Sequence, residues 1–245
     1  QWENVSLPCI TTEGIYVFDL AVSTNGIPYI VYKDLANNGN ITVQKYNGTN
    51  WQMVCMAGFS DSEIYYASIA VGSNEIPYVT YTDIASNYEA IVQKFDGISW
   101  DTVGNIGFSN GIASDINIAI DNNNMPYVAY RNYSNMNKAN VKKYNGTTWE
   151  TVGVANFSVA AAFDIKIVLY NNVPYVAYRD DNVGNKLTVQ KLNGTNWEVV
   201  GTPGFSLGVA HNIGIAIDKH EIPYVVYKDF NVENKSTVQR FNGVN

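Results

Sequence analysis

Three aspartates stand where a repeated pattern breaks, and they are the first residues in this chain that could do chemistry. Asp19, Asp115 and Asp164 lie near the starts of three copies of a short apolar strand. Where one copy has Asp19, the others carry Ser68, Asn117, Lys166 and Gly214. Where two copies have Asp115 and Asp164, the rest carry Val17, Tyr66 and Asn212. Carboxylates from different copies, held ~5–9 Å apart in one pocket, could serve as acid and base on a glycosidic bond. The competing reading is plain: Asp is common in any turn, where it bonds nearby backbone.

A second set of residues could do chemistry because it recurs. Each copy ends a strand with an aromatic residue, a cation in most copies, and a carboxylate or amide: Asp34, Asp83, Asn132, Asp180 and Asp229. The loop entering the next copy carries Phe59-Ser60, Phe108-Ser109, Phe157-Ser158 and Phe205-Ser206. If both loops open on one face, each cleft offers an aromatic surface, a carboxylate or amide, and a hydroxyl. A sugar presents the complement, with apolar C–H faces and hydroxyl groups. Several weak sites of this kind on one body would gain avidity on a multivalent glycan. The structural alternative is that the aromatics pack the copies together, the Asp column caps turns, and Lys45, Lys94, Lys143, Lys191 and Arg240 pair with it.

Other chemistry is thin. The two histidines, His211 and His220, read as polar surface in a loop and a turn. Zinc-protease, paired-cysteine metal, phosphate-loop and nucleophile-elbow motifs do not occur in the sequence, so neither metal nor cofactor is expected. Cys9 and Cys55 fall in the same segment of neighbouring copies; a disulfide between them and two free thiols both remain open.

The elements that must position these residues follow from the repeat. Trp2, Trp51, Trp100, Trp149 and Trp197 recur at steps of 49, 49, 49 and 48 residues, and Pro28-Tyr29, Pro77-Tyr78, Pro126-Tyr127, Pro174-Tyr175 and Pro223-Tyr224 keep the same steps. Such a period means a repeat architecture. Within one copy, Ser68-Ile-Ala-Val71, the run from Ile76 to Asp83, Ala90-Ile-Val-Gln-Lys-Phe95 and Trp100-Asp-Thr-Val103 read as four short strands split by turn residues. No helix is expected. Four antiparallel strands per copy predict one propeller blade, and five copies predict an all-β, five-bladed β-propeller over residues 1–245. The Ile-Ala-Ile strand should be innermost and the Trp strand outermost. The last copy stops at Asn242-Gly243-Val244-Asn245, and the chain opens with Gln1-Trp-Glu-Asn-Val5, so the N-terminal strand is expected to complete the last blade (Velcro closure), hiding an open edge.

Composition narrows the partners. Of 245 residues only 15% are charged, with 18 Tyr and 19 Gly, and the net charge is −7. This balance argues against nucleic acid, which needs a basic surface, and against anionic membrane. No apolar run approaches the ~20 residues of a membrane span. A monomeric propeller within a larger secreted or cell-surface protein is the expectation, with a glycan or a cell-surface protein as ligand.

The run Val173-Pro-Tyr-Val-Ala-Tyr-Arg-Asp180 with Val189-Gln-Lys-Leu-Asn-Gly-Thr-Asn-Trp-Glu198 resembles the propeller repeats of bacterial extracellular proteins. The resemblance covers the whole chain. It implies the fold and says little about activity. WD40, kelch and sialidase blade signatures are absent. In blade number the chain is similar to five-bladed lectins of the tachylectin-2 kind, but without shared motifs, so no binding residue carries over. The resemblance leaves three functions open: a lectin-like binding module, a glycoside hydrolase with an acidic pocket, and a protein-binding scaffold.

Overall fold

The computed structural model describes residues 3–5 and 10–243. The protein is an all-β, five-bladed β-propeller; its only helical pieces among the described residues are 3-10 turns of three residues. The chain divides into two compact units, Gln1–Asn110 and Gly111–Asn245.

The first unit holds two blades. One is β1 (Phe18–Val22), β2 (Pro28–Asp34), β3 (Asn40–Tyr46) and β4 (Trp51–Met53); the other is β5 (Ile64–Val71), β6 (Pro77–Asp83), β7 (Ala90–Phe95) and β8 (Trp100–Thr102). The second unit holds three. They are β9 (Ala113–Ile120), β10 (Pro126–Asn132), β11 (Lys138–Tyr144) and β12 (Trp149–Thr151); β13 (Ala162–Tyr170), β14 (Val173–Asp180), β15 (Lys186–Asn193) and β16 (Asn196–Val199); and β17 (Ala210–Ile217), β18 (Pro223–Asp229) and β19 (Lys235–Arg240). Each sheet is an antiparallel meander in chain order. The fifth blade has three strands among the described residues. The strand expected to complete it draws on Gln1 and Trp2, which lie outside the described residues; Glu3, Asn4 and Val5 form no strand.

The middle strands are covered on both faces, so their sequences run nearly continuously apolar and β-branched. Every residue of β6 is buried. Val31, Ile41, Val43, Ile64 and Val79 are fully buried in the core of the first unit, each worth ~1.5–3 kcal/mol of apolar burial. Proline opens four of the five second strands opposite the last residue of the first, as in Pro28 against Val22, where the ladder needs no further donor; β14 starts one residue earlier, at Val173. Not every copy is covered alike. Leu20 on β1 is 59% exposed, whereas Ile69 and Ile167 in the same column are 4% and 6% exposed.

The tryptophans link blades. Trp100 stacks on Phe59 at 4.7 Å and its Nε1 donates to the Val54 carbonyl at 3.1 Å. Trp197 does the same to Phe157 at 4.2 Å and to the Val152 carbonyl at 3.1 Å. Phe205 and Val200, the matching pair of the next copy, line a cavity of about 290 Å³.

Four of the five second strands end in a carboxylate; β10 ends in Asn132. Asp34, Asp180 and Asp229 each accept a backbone N–H two residues on, capping the 3-10 turns Leu35–Asn37, Asp181–Val183 and Phe230–Val232. The first strands of blades three to five begin with a β-bulge. Its residue is Asp115, Asp164 or Asn212, at φ 49°, 52° and 52°. Asp and Asn tolerate this left-handed backbone better than other side chains do, and a bulge re-aims the side chain it carries.

Candidate functional site

The repeated polar columns expected to touch ligand are buried. None of Asp34, Asp83, Asn132, Asp180, Asp229, Ser60, Ser109, Ser158 and Ser206 is more than 7% exposed. Most of their oxygens serve the chain itself; among the described residues Asn132 Oδ1 and Asp229 Oδ2 are buried without a hydrogen bond. Asp34 Oδ2 accepts from Thr42 Oγ1 at 2.8 Å, and Thr42 in turn accepts from the Gly58 N–H at 2.8 Å. Asp180, Thr188 and Gly204 repeat this relay at 3.0 and 3.0 Å. Asp83 accepts from the Ser86 N–H at 2.8 Å, and Asn132 donates to Asn156 Oδ1 at 3.3 Å. Each serine hydroxyl accepts the N–H of the first or second residue of a third strand: Ser60 from Ile41, Ser109 from Ala90, Ser158 from Ala139 and Ser206 from Leu187, at 2.9–3.1 Å. The columns recur because every blade has the same loop backbone to satisfy. Two of the lysines expected to pair with them go elsewhere, Lys143 to Asp121 at 2.9 Å and Lys191 to Glu221 at 3.3 Å.

Asp19 is also engaged in packing. Its Oδ2 accepts from Ser68 Oγ at 2.6 Å and from the Ile69 N–H at 3.2 Å, tying β1 to β5. Asn117, in the same column, ties β9 to β13 through the Ile167 N–H at 2.9 Å. Asp19 belongs to the first unit, whereas Asp115 and Asp164 belong to the second.

Asp115 and Asp164 stand at the centre of a partly exposed run in the second unit. Asp115 Oδ2 accepts from Arg131 Nε at 2.8 Å, and Asp164 Oδ2 from Arg179 Nε at 3.2 Å. Each arginine is held a second time: Nη1 donates to Asn137 Oδ1 or Asn185 Oδ1, both at 3.0 Å. The two guanidinium carbons lie 5.0 and 4.4 Å from the centre of one ring, Phe163. His211 is in β17 rather than in a loop, with Nδ1 3.5 Å from Asp164 Oδ2 and its ring 4.9 Å from Phe230. His220 sits in an exposed turn, its N–H bonded to Asp218. The run therefore alternates cation, aromatic ring and carboxylate across three blades.

Its geometry is fixed before any ligand arrives. Bulges aim the two aspartates, the turn asparagines hold the arginine forks, and Phe163 supports both. The four charged side chains keep 17–26% exposure, so they remain reachable. Two arginines and two aspartates balance in charge, which suits a neutral ligand that both donates and accepts hydrogen bonds. Burial pushes the Asp115 carboxyl above its usual range; Arg131 opposes the rise and Asp164 adds to it.

Sequence reading found the two aspartates through their departure from the repeat. It missed Arg131, Arg179 and Phe163. A signal was present: arginine replaces lysine or threonine in that column only in these two copies, and the Phe163 column reads Tyr16, Tyr65, Ser114 and His211 elsewhere. Nothing linear says that both arginines meet one ring. Cys55 is an exposed free thiol; Cys9, its possible disulfide partner, lies outside the described residues. Among the described residues no helix is long and apolar enough to cross a membrane.

No family model and no curated protein matches this chain. Solved structures match its fold. The SapL1 lectin in complex with α-methyl fucoside aligns with a TM-score of 0.66 at 14% identity, over 91% of this chain and 76% of that one. A lectin of Aleuria aurantia in complex with Fucα1-6GlcNAc aligns with a TM-score of 0.65 at 13% identity, over 93% and 75%. A GH43 glycoside hydrolase aligns at 0.53 and 13% identity, over 96% of this chain but 51% of that one. At these identities the likeness establishes the fold alone.

Proposed function

We propose that this propeller is a non-enzymatic, lectin-like carbohydrate-binding module that acts outside the cell on glycans, through the Arg131–Phe163–Arg179 run with Asp115 and Asp164. The observation that carries it is the clamped pair of arginine–aspartate units on one aromatic ring. Each unit offers a donor and an acceptor side by side, the pattern that two neighbouring sugar hydroxyls need. Because both are fixed in advance, little ordering entropy opposes binding. Lectins among the fold neighbours support the class. A glycan array that includes fucosides tests it: wild-type protein binds a defined set of neutral glycans, and Arg131→Ala with Arg179→Ala loses that set. An array left blank by folded wild-type protein ends the proposal.

One observation favours a second reading. Asp115, raised by burial, stands near Asp164, as an acid and a base of a hydrolase would. Against it, both carboxylates already accept from arginine, and at Asp115 the arginine opposes protonation. Turnover of aryl glycosides that disappears in Asp115→Asn would favour hydrolysis.

A further inference from the structure

A different crevice, in the first unit and at the turn end of the strands, carries a second site. Tyr29 and Lys45 of the first blade face Glu75 of the second across a cavity of about 230 Å³, closed on its apolar side by Val54, Pro77 and Phe95. Glu75 is an unexpected residue at this position. Its φ is 63°, and the same turn position in other copies holds Gly26, Asn124 and Asn172, residues suited to left-handed backbone. Glutamate recurs there only at Glu221, also at φ 63°. Strain retained at a surface turn points to a role for the side chain.

The two copies differ in what that side chain does. In the second unit Glu221 Oε1 accepts from Tyr175 Oη at 2.5 Å and from Lys191 Nζ at 3.3 Å, so the triad satisfies itself. In the first unit the Glu75 carboxylate turns to the hydroxyls of Ser23 and Thr24 and to the Asn25 N–H, and those hydroxyls hold its pKa below the usual value. Tyr29 and Lys45 are thereby released; among the described residues neither side chain has a hydrogen bond or an ion pair. Ser23 also stands where the third blade has Asp121, the residue that takes up Lys143. The first blade therefore offers its lysine no carboxylate in that column.

We infer that this crevice binds a single neutral sugar residue or similar small polyol. The phenol and the ammonium supply donors, the Asp96 carboxylate supplies an acceptor, and the apolar wall receives a C–H face. The volume holds roughly eight waters at ~30 Å³ each, the scale of one pyranose ring. One lysine against two carboxylates disfavours acidic sugars. The site shares its ligand class with the Arg131–Arg179 run but none of its residues.

Amide chemical-shift mapping with a panel of neutral methyl pyranosides separates the two sites. A sugar titrated into the whole protein should move amides around Tyr29, Lys45, Glu75 and Gly97 in a saturable way, whatever happens near Phe163. Lys45→Met and Tyr29→Phe, each checked for unchanged melting, should weaken that binding at least tenfold, while Lys191→Met should leave it as it is. Two results overturn the inference: no saturable shifts in this crevice with any sugar of the panel, or unchanged affinity in both Lys45→Met and Tyr29→Phe. Loss of shifts near Phe163 alone would count against the glycan-binding proposal and not against this crevice.

Discussion

The buried Asp and Ser columns and the Arg131–Phe163–Arg179 run lie at the same end of the strands, yet they treat polar groups in opposite ways. The columns are present in nearly every copy, and most of their oxygens are taken up by the backbone and the threonine hydroxyls that surround them. In the run, side chains peculiar to two copies hold one another in place and stay partly open to solvent. The difference teaches how to read polar residues in a repeat protein. Periodic polarity satisfies periodic backbone; polarity that departs from the period is free to meet something else.

The strongest test of that contrast is Asp180→Ala. Thr188 Oγ1 and the Asn182 N–H lose their buried acceptor, and unfolding free energy in urea should fall by about 3 kcal/mol. Sugar binding per folded molecule should survive. A variant that melts like wild type but no longer binds would return Asp180 to the ligand. Ser206→Ala should cost somewhat less, about 2 kcal/mol, because it strips the Leu187 N–H of its partner.

Arg179→Ala should behave in the reverse manner. Stability should change by less than ~1 kcal/mol, since the ion pair is partly exposed. Glycan affinity, read by calorimetry, should drop at least tenfold, equivalent to about 1.4 kcal/mol. Acid sharpens the contrast further. Asp115 accepts a ligand hydroxyl best when ionised, and its pKa is raised by burial. Affinity should therefore fall as pH is lowered, with a midpoint above the ordinary ~3.9 of aspartate, and Asp115→Asn should flatten the profile. The same shift acts on folding with the opposite sign: the native state binds this proton more tightly, so the group's stabilisation is present below its unfolded pKa and is lost as pH rises through the folded one. The smallest effect belongs to Asp19→Asn, below ~1 kcal/mol in urea, because Asn117 already makes the equivalent backbone bond as an amide.

By itself the sequence determined the class of fold. A fixed period, strand-like alternation and turn residues leave few architectures, because short copies must bury their apolar faces on one another. The second and third strands of each copy fall where the pattern places them. Asp115 and Asp164 were visible as departures from the period. What only the tertiary structure decided is which polar groups remain available. Linear pattern shows that Asp34 and Ser60 recur; it does not show that Thr42 and the Ile41 N–H already occupy them. Nor does it show that Arg131 and Arg179 converge on Phe163, or that Glu75 turns away from Tyr29 while Glu221 holds Tyr175. Those outcomes depend on distances between residues about 15–50 apart in the chain, and a hydrogen bond is decided by a few tenths of an ångström. Only packing supplies that precision.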